Sequence, residues 1–271
     1  MTEAAGRHSV GSVVFIGAGP GAADLITLRG ARFLAQADVV LFDALTDPAL
    51  RELAPSAQWV DVGKRGFEHS AKQTEINALL VKAAREHALV VRLKGGDASV
   101  FGRLEEELIA LAEAGIDSEV VPGVTAALAA AAQARRPLTR RGRGRSVSLT
   151  TAMTERGELR AARTADTEVF YMAGRQLAAL GRQLLAAGWA ADTPTLVVSR
   201  AGCADAITSE HLLADLARAA LLHRGRPTVV TVGTGAGFVG PQDRSRAAAH
   251  KIAVSPEIAP LKAPLTSKSS S

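Results

Sequence analysis

The feature that most narrows the fold of this chain is an alternation: short runs rich in valine and leucine, each followed by a turn and then by a longer stretch with helical spacing. Residues 13–16, 38–42, 59–62, 89–93 and 118–121 read as strands, and residues 25–37, 73–86, 104–114 and 124–134 read as the helices between and after them. Strands separated by helices of ten or more residues pair in parallel, because the crossover is long enough to return to the same sheet edge. The expected class is therefore α/β. Past Leu138 the pattern repeats less regularly, with strands at 146–150, 169–172, 196–199 and 228–232 and helices at 176–187 and 209–219. A length of 271 residues accommodates two such units, at roughly 100–200 residues per domain. The boundaries expected are an irregular start over 1–10, an N-terminal α/β domain over 11–140, a C-terminal α/β domain over 141–240, and a disordered basic tail over 241–271 that ends in TSKSSS.

Charge needs its distribution before it implies a partner. The formal charge is +5, but residues 241–271 carry five bases against two acids, which leaves 27 bases and 25 acids in the body. One cluster stands out: Arg135, Arg136, Arg140, Arg141, Arg143 and Arg145 fall within eleven positions. It contains no aromatic residue and the whole chain is only 4% aromatic, so the stacking platforms of a single-strand nucleic-acid binder are missing. A solvated connection or an anionic small-molecule site are the readings left. No apolar run approaches the roughly 20 residues of a membrane span, and the single cysteine, Cys203, forms neither an internal disulfide nor a cysteine-based metal site. A cytoplasmic protein without structural metal is expected.

Two glycine turns carry the candidate chemistry. Gly17-Ala18-Gly19-Pro20-Gly21 lies between the first strand and the first helix, and Gly95-Gly96-Asp97 follows the fourth strand. Glycine lets backbone approach a ligand closely, and a helix start offers free N–H donors. Turns at the carboxyl ends of neighbouring parallel strands line one crevice, where open α/β sheets bind ligands. Gly17, Gly19 and Ala22, with Asp43 after the second strand, also trace a loose dinucleotide fingerprint, so a nicotinamide-dependent enzyme is the rival reading. Pro20 counts against it by removing a donor where a pyrophosphate needs one. Asp97 either accepts from a ligand or caps the next helix. Lys64 and Arg65 past the third strand, and Arg92 and Lys94 in the fourth, either anchor carboxylates or snorkel.

The runs VFIGAGPGAADLITL (14–28), GKRGFEHS (63–70), QTEINAL (73–79), VRLKGGD (91–97), VFGR (100–103) and VVPGVTA (120–126), with residues 137–141, resemble the uroporphyrinogen-III C-methyltransferases among the tetrapyrrole methyltransferases. The resemblance implies two α/β domains with S-adenosylmethionine between them, a tetrapyrrole substrate and a homodimer. It places the cofactor at Pro20, Gly95, Gly96, Asp97, Val100, Thr125, Ala126, Met172 and Ala201. It matches Asp43 and Lys64 to an acid and base pair, and the octacarboxylate substrate it implies would explain a cationic rim, with Arg65, Arg140 and Arg141 as the substrate-binding residues expected. The alanine-rich stretch at 124–134 is read as a surface for the second copy.

The chain departs from this family mainly on the substrate side. Ala98 and Ser99 replace proline and phenylalanine, LEEEL (104–108) begins where two glycines are common, Arg140 replaces histidine, Thr151-Ala152-Met153 replaces Thr-Gly-His, and Ala173 replaces glycine. A non-catalytic cofactor-binding relative is the reading these departures keep open. His69 fits the family motif or a loop hydrogen bond equally, and no histidine pair has metal-ligand spacing. Trp59 and Trp189 read as core residues, and Cys203 as a small residue without chemistry.

Overall fold

Strands β1 (Ser12–Gly17), β2 (Val39–Phe42), β3 (Gln58–Asp61), β4 (Leu89–Lys94) and β5 (Ser118–Val121) form a five-stranded parallel sheet in the order β3-β2-β4-β1-β5. The structure is a computed structural model that describes residues 11–63, 73–151, 159, 161–240 and 253–254. Both faces of this first sheet are covered, which is why β1 and β2 read as continuous apolar runs. Val13, Phe15, Val39, Leu41 and Val90 point to the face packed by helices α2 (Gln73–Glu86) and α3 (Leu104–Glu113). Val14, Ile16, Val40, Val91 and Leu93 point to the other, against α1 (Leu28–Leu34) and a 3-10 helix at Pro48–Leu53.

Helix α1 starts later than its apolar spacing suggests. Thr27 is extended and its hydroxyl accepts from the Gly30 amide at 3.1 Å, an N-cap that sets the helix start at Leu28. Leu25 falls instead in a separate 3-10 turn, Ala23–Leu25.

The second half builds a different sheet. Strands β6 (Val147–Thr151), β7 (Thr167–Tyr171), β8 (Pro194–Ser199), β9 (Ile207–Leu212), β10 (Thr228–Gly233) and β11 (Ala253–Val254) lie in the order β11-β9-β8-β10-β7-β6. Only β6 and β7 pair in parallel; the other neighbours are antiparallel. The helix expected over 209–219 is corrected here. Ile207–Leu212 is a full strand against β8, followed by a 3-10 helix at Leu213–Arg218 and a short α6 (Ala219–Leu222). The leucine spacing that suggests a helix is used by Leu213 and Leu216, which bury in the core, while pairing with β8 overrides local propensity just before them.

One face of this sheet packs Phe170, Val197 and Val230 against Leu177, Leu180 and Leu184 of α5 (Leu177–Ala186). The opposite face, through Val169, Tyr171, Leu196, Val198 and Val229, receives Ala127, Ala129 and Ala130 of α4 (Ala126–Ala134). The close approach that alanines permit is thus used within the chain, and this corrects the reason given above for assigning α4 to a second copy.

Candidate active site

Three turns meet at the carboxyl end of the first sheet. Gly19 and Gly96 form an antiparallel bridge, with Gly96 N donating to Gly19 O at 2.7 Å and Gly19 N to Gly96 O at 3.2 Å. The turn after β5 closes on both: a Cβ at Gly17 would lie 2.6 Å from the Gly123 backbone and 2.7 Å from Gly96 O. Gly96 itself has φ +70°, a conformation that side chains disfavour. The expected convergence of glycine turns is therefore observed, with Gly123 as a third member.

Asp97 clasps them. Its Oδ1 accepts from Ser99 N at 2.8 Å and from the Ser99 hydroxyl, and its Oδ2 accepts from Gly123 N at 2.8 Å. Burial raises the pKa of this carboxyl, but the Ser99 hydroxyl and the Gly123 and Ser99 amides together hold it below the usual range. Asp97 is thus a tie between the β4 and β5 turns rather than a helix cap.

The second sheet supplies the opposite wall. Tyr171, at the end of β7, shares a 2.7 Å hydrogen bond with the Thr125 hydroxyl and accepts from Ala127 N at 3.3 Å. Burial pushes its phenol up from its ordinary value, against the effect of these donors. Phe101 packs on its ring with centroids 5.0 Å apart. The loop after β8 reaches the first glycine turn, where Ala22 N donates to Gly202 O at 2.9 Å and a Cβ at Gly202 would lie 3.1 Å from Pro20. Val100, Ala126 and Ala201 join Tyr171 in one cluster. The residues matched to the cofactor, Pro20, Gly95, Gly96, Asp97, Val100, Thr125, Ala126, Met172 and Ala201, thus fall at one junction between the sheets.

Two side chains at this junction are unusual. Met172 and Phe101 are apolar yet 56% and 44% exposed, and both sit on left-handed backbone at φ +57° and +55°. Such conformations cost on the order of 1–3 kcal/mol each and cluster at ligand sites. Exposed apolar surface beside backbone-rich glycine turns suits a ligand with a flat aromatic base and a polar chain, which is the composition of S-adenosylmethionine.

Of the residues matched to the reaction, Asp43 follows β2 and its Oδ1 accepts from Arg92 Nη2 at 2.7 Å. Lys64, Arg65 and His69 lie outside the described residues. Arg140 is committed elsewhere: Nη1 donates to Phe238 O at 2.9 Å and Nη2 to Gly237 O, so its guanidinium braces the segment after β10 rather than facing open space. Burial, with Arg136 and Arg143 nearby, lowers its proton affinity. Arg141 is exposed in the adjoining turn closed by the Arg140–Gly144 bridge. Arg136 is buried, paired with Glu210 and stacked on Phe238, so the arginine cluster is not one uniform patch.

Sequence reasoning missed Glu107. It is fully buried and accepts from both Arg92 and Lys94. Burial, then Arg92, pushes the Lys94 ammonium down from its ordinary value, while Glu107 and Asp43 pull it up. The signal was present: Leu104, Glu107, Leu108 and Leu111 form one stripe of α3, and Arg92 and Lys94 follow Val90 on one face of β4. A cavity of about 510 Å³ opens elsewhere, against β6 and β7, and its carboxylate, Glu168, accepts through Oε1 from Thr164 and Ala165.

The comparisons with known proteins agree with this geometry. The sequence profile of the tetrapyrrole (corrin/porphyrin) methylases matches residues 12–217. The chain is 47% identical to a uroporphyrinogen-III C-methyltransferase of Pseudomonas aeruginosa over 70% of its own length and 80% of the relative's. It is 44% identical to siroheme synthase 1 of Klebsiella pneumoniae over 80% of its length, but spans only 49% of that protein. Among solved structures it resembles the uroporphyrin-III C-methyltransferase of Thermus thermophilus complexed with S-adenosylhomocysteine, with TM-score 0.73 and 38% identity, covering 82% of this chain and 97% of that one. A cobalt precorrin-4 methyltransferase aligns with the same TM-score of 0.73 at 28% identity, over 84% of this chain and 96% of the other. These relatives do not favour the nicotinamide reading. With the profile running from β1 to the 3-10 helix after β9, and with solved relatives that share the fold, the chain belongs to the tetrapyrrole methylases.

Proposed function

We propose that the chain transfers methyl groups from S-adenosylmethionine to carbon atoms of uroporphyrinogen III, twice, yielding precorrin-2 for siroheme or cobalamin. The observation that carries this reading is the 47% identity to a uroporphyrinogen-III C-methyltransferase across most of both chains, in a chain whose family-matched cofactor positions fall at one crevice. The chain spans 49% of the siroheme synthase it matches, and the proposal takes nothing from the rest of that protein.

The donor supplies, when bound, an electrophilic methyl group on a sulfonium. The chain's task is then mainly to hold an electron-rich pyrrole carbon in line with it, and such positioning is worth up to about 7–11 kcal/mol. Pro20, Gly95, Gly96, Asp97, Val100, Thr125, Ala126, Met172 and Ala201 hold the donor, with Met172 and Phe101 covering its apolar parts. As the new carbon–carbon bond forms, the macrocycle gives up a proton. Asp43, fixed by Arg92, accepts it, with Lys64 as its acid partner. Arg65 and Arg141 meet the carboxylates of the substrate, while Arg140 acts through the turn that presents Arg141. The protein works in the cytoplasm as a homodimer, for which the exposed apolar Leu128 and Leu149 offer surface. The mass of the product after incubation with uroporphyrinogen III and S-adenosylmethionine tests the activity. Two added methyl groups are expected; donor binding without a mass change would leave a non-catalytic relative. Light scattering of the full chain tests the dimer.

A further inference from the structure

Beneath the crevice lies a cluster of charges that the reaction as described does not require. Glu107 Oε1 accepts from Arg92 Nε and Nη2, both at 3.2 Å, from Lys94 Nζ at 3.0 Å and from Gln73 Nε2 at 3.2 Å. Its Oε2 accepts from Lys94 Nζ, also at 3.0 Å. Arg92 continues the chain of contacts. Its Nη2, gripped by Glu107 on one side, donates to Asp43 Oδ1 at 2.7 Å on the other, while Nη1 reaches Leu93 O at 3.3 Å and Leu41 O at 3.5 Å. Glu107, Arg92 and Lys94 are buried; Asp43 alone opens toward solvent, with 31% of its side chain exposed.

Stability is a poor explanation for this arrangement. Burying charges carries a desolvation cost that well-packed apolar residues avoid, so a buried ion cluster is weak evidence of a stabilising purpose. The direction of the contacts points elsewhere. The guanidinium is a rigid planar fork, anchored at its base by Glu107 and by two strand carbonyls, and its remaining donor is aimed at Asp43, past the carboxyl end of β2. The backbone adds a second restraint, since Asp43 N donates to Leu93 O at 3.3 Å, one residue before Lys94 and the second glycine turn. Asp43 is thereby held in register with the turn that bears Gly95 and Gly96, and among the described residues its Oδ2 is left without a hydrogen-bond donor.

We infer that Glu107 and Arg92 are positioning residues for methyl transfer: Glu107 fixes the Arg92 fork from within the core, and Arg92 presents Asp43 to the crevice with one carboxylate oxygen held and the other available to the substrate. This rests on the assignment of Asp43 to the proton transfer under the proposed function. Neither Glu107 nor Arg92 touches the reacting atoms. Lys94 balances the charge of Glu107 and keeps Arg92 from pairing with it alone.

A double-mutant cycle on the full-length protein separates this role from mere cohesion. Glu107→Gln, which keeps the shape of the side chain, should lower kcat at least tenfold while the KM for S-adenosylmethionine and the calorimetric affinity for S-adenosylhomocysteine stay within twofold. In an Asp43→Asn background the same substitution should lower kcat by less than twofold further, because the group it positions is already gone. If Glu107→Gln disturbs folding, as circular dichroism would show, Arg92→Lys carries the same cycle, since it keeps the charge and loses the fork. Losses that multiply in the double variant, or a wild-type kcat for the positioning variant, overturn the inference while leaving Asp43 in its role. A wild-type kcat for Asp43→Asn alone removes Asp43 from the reaction, and the positioning role falls with it.

Discussion

Replacing Asp97 with alanine tests whether the glycine turns are held together by one carboxylate. The substitution removes the acceptor of the Gly123 amide, half-buried where three turns meet, and both acceptor contacts of Ser99. Leaving a buried donor unpaired costs about 1–3 kcal/mol, and loss of the exposed Ser99 turn adds about 1 kcal/mol, so a total of roughly 2–4 kcal/mol is expected. For a chain of this size each kcal/mol moves the melting temperature by about 2–4 °C, which places the loss at pH 7 at roughly 4–16 °C. A simple helix cap, by contrast, is worth about 1 kcal/mol. The sign with pH is fixed by the depressed pKa of Asp97 in the folded state. A carboxyl bound more weakly by protons when folded adds stability above its unfolded value of 3.8, and loses that contribution as pH falls through its lower folded value. Thermal melting followed by circular dichroism from pH 7 to pH 2, for both proteins, should therefore show a gap that is full at neutral pH and narrows in acid. Affinity for S-adenosylhomocysteine, measured in parallel, should fall as well. A gap of a degree or less at pH 7, or one that stays constant into acid, would refute the clasp.

Gly123→Ala should be more damaging than its size suggests, since its Cβ would be driven into Gly17 and the Gly96 carbonyl; donor binding measured by calorimetry should be lost even if the variant folds. His223 is buried between Ser199 and Ser209, and burial, with His211 and Arg226, lowers its pKa to about 4. Because the unfolded chain binds this proton more readily, stability is complete above pH 6.5 and declines toward pH 4; melting curves of His223→Gln should be flatter across that interval. Truncation after Gly240 removes the pairing of Ala253 and Val254 with Thr208 and Ile207, so the melting temperature should fall by a few degrees at most while light scattering still reports a dimer and methyl transfer continues.

How legible each part was follows from how locally it is determined. Strands such as Val13 to Ile16 and Val39 to Phe42 are buried almost throughout, and a continuous apolar run announces them. The glycine turns were equally plain, because close backbone approach leaves few other residues possible. In the second sheet, antiparallel partners are chosen by contacts distant in sequence: Ile207 to Leu212 becomes a strand because β8 needs a neighbour. The site divides the same way. Gly96 and Asp97 could be read from a single turn, whereas Glu107 matters through Arg92 and Lys94, more than a dozen residues earlier, and looked like one of three acids on a solvated helix. Tyr171 is not legible in this way because its partner, Thr125, lies 46 residues earlier, at the start of α4.

The seating of α4 bears on how this protein can be taken apart. The arginine-rich turn after it looks like a natural place to divide the gene, yet a first fragment ending there would carry Ala127, Ala129 and Ala130 without the sheet that shelters them. The second fragment would display the matching bare face of Val169, Leu196 and Val229. Such halves are complementary by construction and suit reassembly when made together, whereas either alone exposes a smooth apolar face to aggregation. An independently soluble second half begins before α4, with the cut made beside the Gly123 turn; that cut also severs the Asp97 tie, so solubility of the separate halves and integrity of the crevice are competing ends.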